Sequence, residues 1–149
     1  MDYIHIIYAS TSGNTERVVE TIGEILKDKG LNVYYHRAEI TPVEIIKDNG
    51  LFILATSTWE HGELNPYFKK LLGEIKALNL EGKKAGLVGC GDTRYEPVLF
   101  CEGMEILRRA FLENKGEEIY TALKINGDPN NDLDKVKQWA EEFYRNLIA

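Results

Sequence analysis

Cysteine is scarce. Cys90 and Cys101 are the only two in 149 residues. They are too few for a disulfide framework and too far apart for a Cys-x-x-Cys site, so reduced thiols in a cytoplasmic protein are expected. Long apolar runs are missing as well. None approaches the ~18–20 residues that a spanning helix needs, and Asp2 and His5 interrupt the place where a signal peptide would lie. Basic charge is in deficit, with 18 Lys and Arg against 24 Asp and Glu and a net charge of −6. Nucleic acid and anionic membranes are therefore poor partners. His5, His36 and His61 are scattered, and no metal-ligand, Ser–His–Asp or Cys–His set emerges. Gly-x4-Gly-Lys-Ser/Thr does not occur, which argues against a nucleoside triphosphatase. Gly89-Cys90-Gly91 begins like a dinucleotide fingerprint, but Arg94 stands where the third glycine belongs. With no repeat, low-complexity tract or linker, residues 1–149 read as a single domain.

What is present centres on Ser10-Thr11-Ser12-Gly13-Asn14-Thr15. Before it runs Tyr3–Ala9, β-branched and aromatic, with the composition of a buried strand. After it, Val18, Val19, Ile22, Ile25 and Leu26 recur at helical spacing among charged residues. One or two such polar residues would only cap a helix. Six consecutive polar or glycine residues at a strand–helix junction exceed that need and suit a phosphate, held by backbone N–H groups, the helix dipole and directed hydroxyls.

The pattern repeats along the chain. Strands are predicted at Leu31–Ala38, Leu51–Thr56, Lys84–Gly89 and Ile119–Ile125. Between them, Thr41-Pro42 and Asn65-Pro66 open helices, the second with Tyr67, Phe68, Leu71, Leu72 and Ile75 as its buried stripe. Another helix follows Pro97 to about Lys115, with Phe100, Met104, Leu107, Ala110 and Phe111 on one side. A last one buries Leu133, Val136, Ala140, Phe143 and Leu147. Five strand–helix alternations predict an open parallel α/β sheet between two helical layers, with right-handed crossovers. Ligands in such sheets lie beyond the strand C-termini where the strand order reverses. The polar loops follow the first, third and fourth strands, where that rule places a site.

The run Ile7-Tyr8-Ala9-Ser10-Thr11-Ser12-Gly13-Asn14-Thr15-Glu16 resembles the FMN-phosphate signature of the flavodoxin family. Ser57-Thr58-Trp59 with Gly62-Glu63-Leu64, and Cys90-Gly91-Asp92 with Tyr95, resemble its third- and fourth-strand loops. The uninterrupted run Ile119–Asp128 resembles the short-chain members. The resemblance implies a flavodoxin-like three-layer open sandwich with a five-stranded parallel sheet in the order 2-1-3-4-5. It also implies noncovalently bound FMN with its phosphate in the 10–15 loop. Trp59 and Tyr95 would sandwich the ring, and Cys90, Gly91 and Asp92 would meet it mainly through main chain. Taken singly, a loop tryptophan plugs a core edge and a free cysteine packs as a small hydrophobe just as readily. The match breaks at Glu60 and His61, where relatives usually carry glycine and aspartate. In the family that peptide turns its carbonyl toward flavin N5–H on reduction, and a Cβ at residue 60 is expected to resist the turn.

Segments 57–65 and 90–105 together carry a net charge of −5, most of the chain's total. Around a flavin mouth this would steer basic partners. The function expected is that of a low-potential one-electron carrier shuttling between soluble redox enzymes with basic docking faces, a cytoplasmic monomer with no catalytic side chains. The alternatives are an FMN-dependent quinone reductase, a protoporphyrinogen oxidase-like enzyme on the same scaffold, or a module holding another phosphorylated ligand.

Overall fold

The structure, a computed structural model, describes residues 3–94 and 98–149, and at residue 60 the backbone. Alternating strands and helices build one parallel sheet. Strand β1 (Tyr3–Ala9) leads through α1 (Asn14–Asp28) to β2 (Asn32–Arg37), and α2 (Glu44–Lys47) precedes β3 (Leu51–Trp59). The short β4 (Glu63–Leu64) turns back on β3 before α3 (Lys69–Ile75) and β5 (Lys84–Gly91). Helix α4 (Glu102–Glu113), β6 (Glu117–Glu118), β7 (Leu123–Asn126) and α5 (Leu133–Ile148) complete the chain. The strand order is β2-β1-β3-β5, with β6 and β7 both paired to β5, all parallel. This is the expected order, with the fifth strand in two pieces.

Alternation along β1 divides the core. Ile4, Ile6 and Tyr8 face α1 and α5, packing with Val18, Ile22, Val136 and Phe143. Ile7 and Ala9 face the other layer, with Phe68, Leu71, Met104 and Leu107. Strands covered on both faces need apolar side chains on both, which explains the unbroken run Leu51–Ala55.

Several boundaries differ from the sequence reading. Strand β3 continues through Ser57, Thr58 and Trp59 because β4 pairs with it, Thr58 opposite Leu64 and Trp59 opposite Glu63. The fifth strand breaks between Glu118 and Leu123, where the Trp139 indole N–H donates to the Thr121 carbonyl (2.7 Å) in place of a ladder partner. Trp139 itself is buried against Phe143, a core role that its position in a charged stretch hid. Tyr67, placed in a buried stripe by spacing, is 42 % exposed because a 3-10 turn over Pro66–Phe68 precedes α3 and changes the period.

Two of the scattered histidines meet on β1 and β2. His5 Nδ1 and His36 Nε2 are 2.8 Å apart, with ring centroids at 5.0 Å and planes 22° apart. The centroid distance is close to the nitrogen separation plus two ring radii, so the rings lie edge to edge and share one proton. A second proton would set two N–H groups head on. Burial lowers the pKa of both rings, Asn49 pulling the other way at His5, and each His5 charge lowers His36 further. Tyr34 and Phe52 complete the surroundings of His5. The unfolded chain therefore binds protons first. This pair's stability is full above the ordinary 6.5 and is lost as pH falls through the lowered folded values. Urea unfolding from pH 7 to 5 should show a steep loss that flattens in His5→Phe. An equally steep loss in that variant would remove the pair as its cause.

Candidate functional site

The C-terminal ends of β1, β3 and β5 open into a cleft of about 980 Å³, at the upper end of the ~300–1,000 Å³ typical of small-molecule sites. Thr11, Ser12 and Asn14 line one part of it. Ser57, Thr58, Trp59 and His61 come from the β3–β4 hairpin, and Cys90, Gly91 and Asp92 from the end of β5. Ser10, Gly13 and Thr15 belong to the same loop as Thr11–Asn14 but do not line the cleft; Ser10 and Thr15 are buried. Tyr95 lies outside the described residues. The side chain of Glu60 does too.

The phosphate-type loop is built by local hydrogen bonds. Ser10 Oγ accepts from the Gly13 N–H (3.1 Å) and the Glu16 N–H (3.4 Å). Gly13 sits at φ 92°, a left-handed turn that lets the chain enter α1 directly. The first N–H groups of α1 have no intrahelical acceptor, and the helix dipole adds positive potential there. Thr15 Oγ1 is buried with no hydrogen-bond partner. A buried hydroxyl left unpaired is costly, and an anion at this helix start is the kind of group that would use it. Cys90 lies nearby. Burial pushes its thiol up to about 11 and Cys101 up to about 12, while the Thr15 hydroxyl pulls the Cys90 thiol the other way from beyond hydrogen-bond geometry, so that Thr15 Oγ1 stays unpaired. Both thiols stay protonated at neutral pH, so they offer no thiolate for redox or nucleophilic chemistry.

The hairpin between β3 and β4 sets the second wall. His61 (φ 60°) and Gly62 (φ 74°) are both left-handed, and together they reverse the chain within three residues. Within this turn the non-glycine residue in the left-handed region is His61, at roughly 1–2 kcal/mol for a residue with a Cβ, while the resistance expected of residue 60 concerns the peptide turned on reduction. Trp59 ends β3 with its side chain 42 % exposed at the cleft. Thr58 also has a structural task, since its Oγ1 accepts from the Gly103 N–H at the start of α4 (2.9 Å). Buried Asn65 donates to Ser57 Oγ (2.8 Å) and accepts from the Tyr67 N–H (2.9 Å), holding the hairpin to the turn after it.

The third wall joins β5 and β7. Gly127 N–H donates to the Gly91 carbonyl (2.8 Å), and Asn126 bridges Thr93 through both its N–H and its hydroxyl. Glu63, Arg94, Cys101, Gly127 and Asp128 also line the cleft, and spacing did not single them out as site residues. The 126–129 turn could have been found: its residues follow a strand that ends beside β5.

The charge picture is weaker than the sequence count. Arg94 pairs with Asp92 (2.6 Å) and holds its carboxyl below the usual range. Arg109 pairs with Glu102 (2.7 Å), while Arg108 and Lys124 approach Glu105. Arg94 is already within the net charge of −5, so what the count left out is Arg108, Arg109 and Lys124, which match Glu102 and Glu105. Among the described residues, Glu63 and Asp128 lining the cleft have no ion-pair partner.

The sequence profile of the flavodoxin family, described as "Flavodoxin", matches residues 6–139. A flavodoxin of Nitratidesulfovibrio vulgaris is 30% identical over 143 residues, covering 94% of this chain and 95% of that one. The solved structure of oxidised Flavodoxin 2 from Bacillus cereus is 32% identical, with a TM-score of 0.90 over 96% of this chain and 98% of that chain. The Streptococcus pneumoniae TIGR4 flavodoxin superposes with a TM-score of 0.86 at 29% identity, over 96% and 98%. A profile spanning most of the sheet, full-length relatives and the same strand order agree, and the chain belongs to the flavodoxin family.

Proposed function

We propose that the cleft holds one FMN, noncovalently, with its phosphate against residues 10–15 and its ring between the β3–β4 hairpin and the end of β5. The protein then acts as a low-potential one-electron carrier for soluble redox proteins with basic faces, as a monomer in the cytoplasm. Flavodoxins are electron-transfer flavoproteins rather than enzymes, which turns the choice away from a quinone reductase or a protoporphyrinogen oxidase-like activity. The observation that carries the FMN reading is the unpartnered, buried Thr15 hydroxyl at the start of α1, in a loop that contributes three residues to the same cleft as an exposed tryptophan.

When bound, FMN supplies the electron-accepting ring. The chain's own residues do the rest. Ser10 orders the loop, and Thr11, Ser12, Asn14 and Thr15 offer hydroxyl and amide groups to the phosphate. Trp59 presents an apolar face to the ring and keeps water from it. The peptide groups of Cys90, Gly91 and Asp92 offer donors along the β5 end, and a protonated Cys90 adds no charge there. Glu63 and Asp128 give the rim a negative field that opposes added electrons and favours basic partners.

An absorption spectrum of the purified protein, followed through a reductive titration, tests this. A yellow protein with one flavin per chain and two separable one-electron steps is expected. A colourless protein that takes up no FMN would overturn the reading.

A further inference from the structure

The loop of residues 10–15 contains no Lys or Arg, and the next residue is an acid, Glu16. A carboxylate in the first turn favours the helix but opposes a phosphate bound at the same place. What offsets it comes from the edge strand. Arg37 ends β2 opposite Tyr8 of β1. Its Nη2 donates to the Ser10 carbonyl (3.1 Å), its Nη1 meets Glu16 Oε2 (3.4 Å), and its Nε meets Glu39 Oε2 (3.2 Å). The guanidinium lies 5.5 Å from the centre of the Tyr8 ring, whose hydroxyl donates to the other Glu16 oxygen (3.4 Å). Arg37 and Tyr8 thus hold both oxygens of Glu16, and Arg37 also grips the carbonyl of the serine whose Oγ orders the loop. The neighbouring Glu39 shares the guanidinium, so the three side chains carry one net negative charge, and would carry two without Arg37.

We propose that Arg37 is a positioning residue that sets the preference for a phosphorylated ligand: it fixes the Ser10 carbonyl and offsets part of the Glu16 charge, so that the start of α1 accepts a phosphate dianion. This rests on the FMN reading above. Spacing gave no hint of it, because Arg37 lies 27 residues after Ser10 in sequence and reaches it only through parallel pairing of β1 with β2.

The test is a two-residue cycle on the apoprotein, read by flavin fluorescence with FMN and with riboflavin, which lacks the phosphate. Arg37→Met should weaken FMN roughly twofold to fivefold at low ionic strength while leaving riboflavin nearly unchanged. Near 1 M salt, where screening lengths fall to about 3 Å, most of that loss should vanish. Adding Glu16→Gln to Arg37→Met should restore most of the FMN affinity. Glu16→Gln alone, which leaves the guanidinium's charge less opposed, should tighten FMN about twofold or more. That variant also serves if Arg37→Met does not fold. Equal losses for both flavins, no rescue by Glu16→Gln, or weaker FMN binding in Glu16→Gln alone would each overturn the role of Arg37. A wild-type protein that binds neither flavin would instead overturn the FMN reading, and this role with it.

Discussion

Thr15→Val should make the ligand-free protein more stable and its hold on FMN much weaker. The two signs come from one atom. Thr15 is 1 % exposed, and its Oγ1 has no hydrogen-bond partner. An unpaired buried hydroxyl costs about 1–3 kcal/mol. Valine keeps the branched shape and nearly the same helix propensity, so removing the oxygen should return about 1 kcal/mol or more to the apoprotein. When a phosphate is present, that oxygen can form a hydrogen bond to a charged group. Losing such a bond costs about 1.5–3 kcal/mol, roughly 10- to 150-fold in affinity. Riboflavin should not register the change. Linkage adds a further check, since stabilisation by ligand falls by about 1.4 kcal/mol for each tenfold loss in affinity. The gain in unfolding midpoint on adding FMN should therefore shrink in the variant while its starting midpoint rises. A destabilised apoprotein would mean that the hydroxyl has a partner in the ligand-free fold. Equal losses for FMN and riboflavin would remove the phosphate from this loop.

The layers and the location of the site were legible because each rests on a local pattern. The run Leu51–Ala55 has to be covered on both faces, and six consecutive polar or glycine residues at the junction of β1 and α1 exceed what a helix cap needs. The parts that escaped depend on contacts between distant residues. Arg37 meets Ser10, Asn126 meets Thr93, and His5 meets His36 across strand pairings that no spacing reveals. The same holds for charge. Counting Glu102 and Glu105 into the mouth passed over Arg108 and Arg109, which stand at helical spacing from them on α4, and Lys124, which comes beside Glu105 only once β7 is in place. Residue 60 shows a different limit. Comparison with the family pattern located the departure, but the left-handed backbone follows from the β3–β4 pairing, which puts the tightest part of the turn at His61 and Gly62.

Trp59→Ala should weaken FMN and riboflavin by the same factor, the opposite selectivity to Thr15→Val. An indole with 42 % of its surface exposed at the wall of a cleft is poorly used by the fold alone. The other tryptophan shows the contrast: Trp139 is 7 % exposed, stacks on Phe143 and spends its N–H on the Thr121 carbonyl. Truncating Trp59 should therefore cost the apoprotein little, since the ring covers no deep core. Stacking between an aromatic side chain and a planar heteroaromatic base is worth about 1–3 kcal/mol by alanine substitution, roughly 5- to 150-fold. That energy belongs to the ring, so the phosphate is irrelevant to it. Fluorescence gives an independent reading. In a Trp139→Phe background Trp59 is the sole indole, and FMN should quench nearly all of its emission. Stacking in a poorly solvated slot also opposes added negative charge, so the potential for the second electron should rise in Trp59→Ala. A variant that loses FMN but keeps riboflavin would place the indole at the phosphate end, and one that binds both flavins unchanged would place it outside the site.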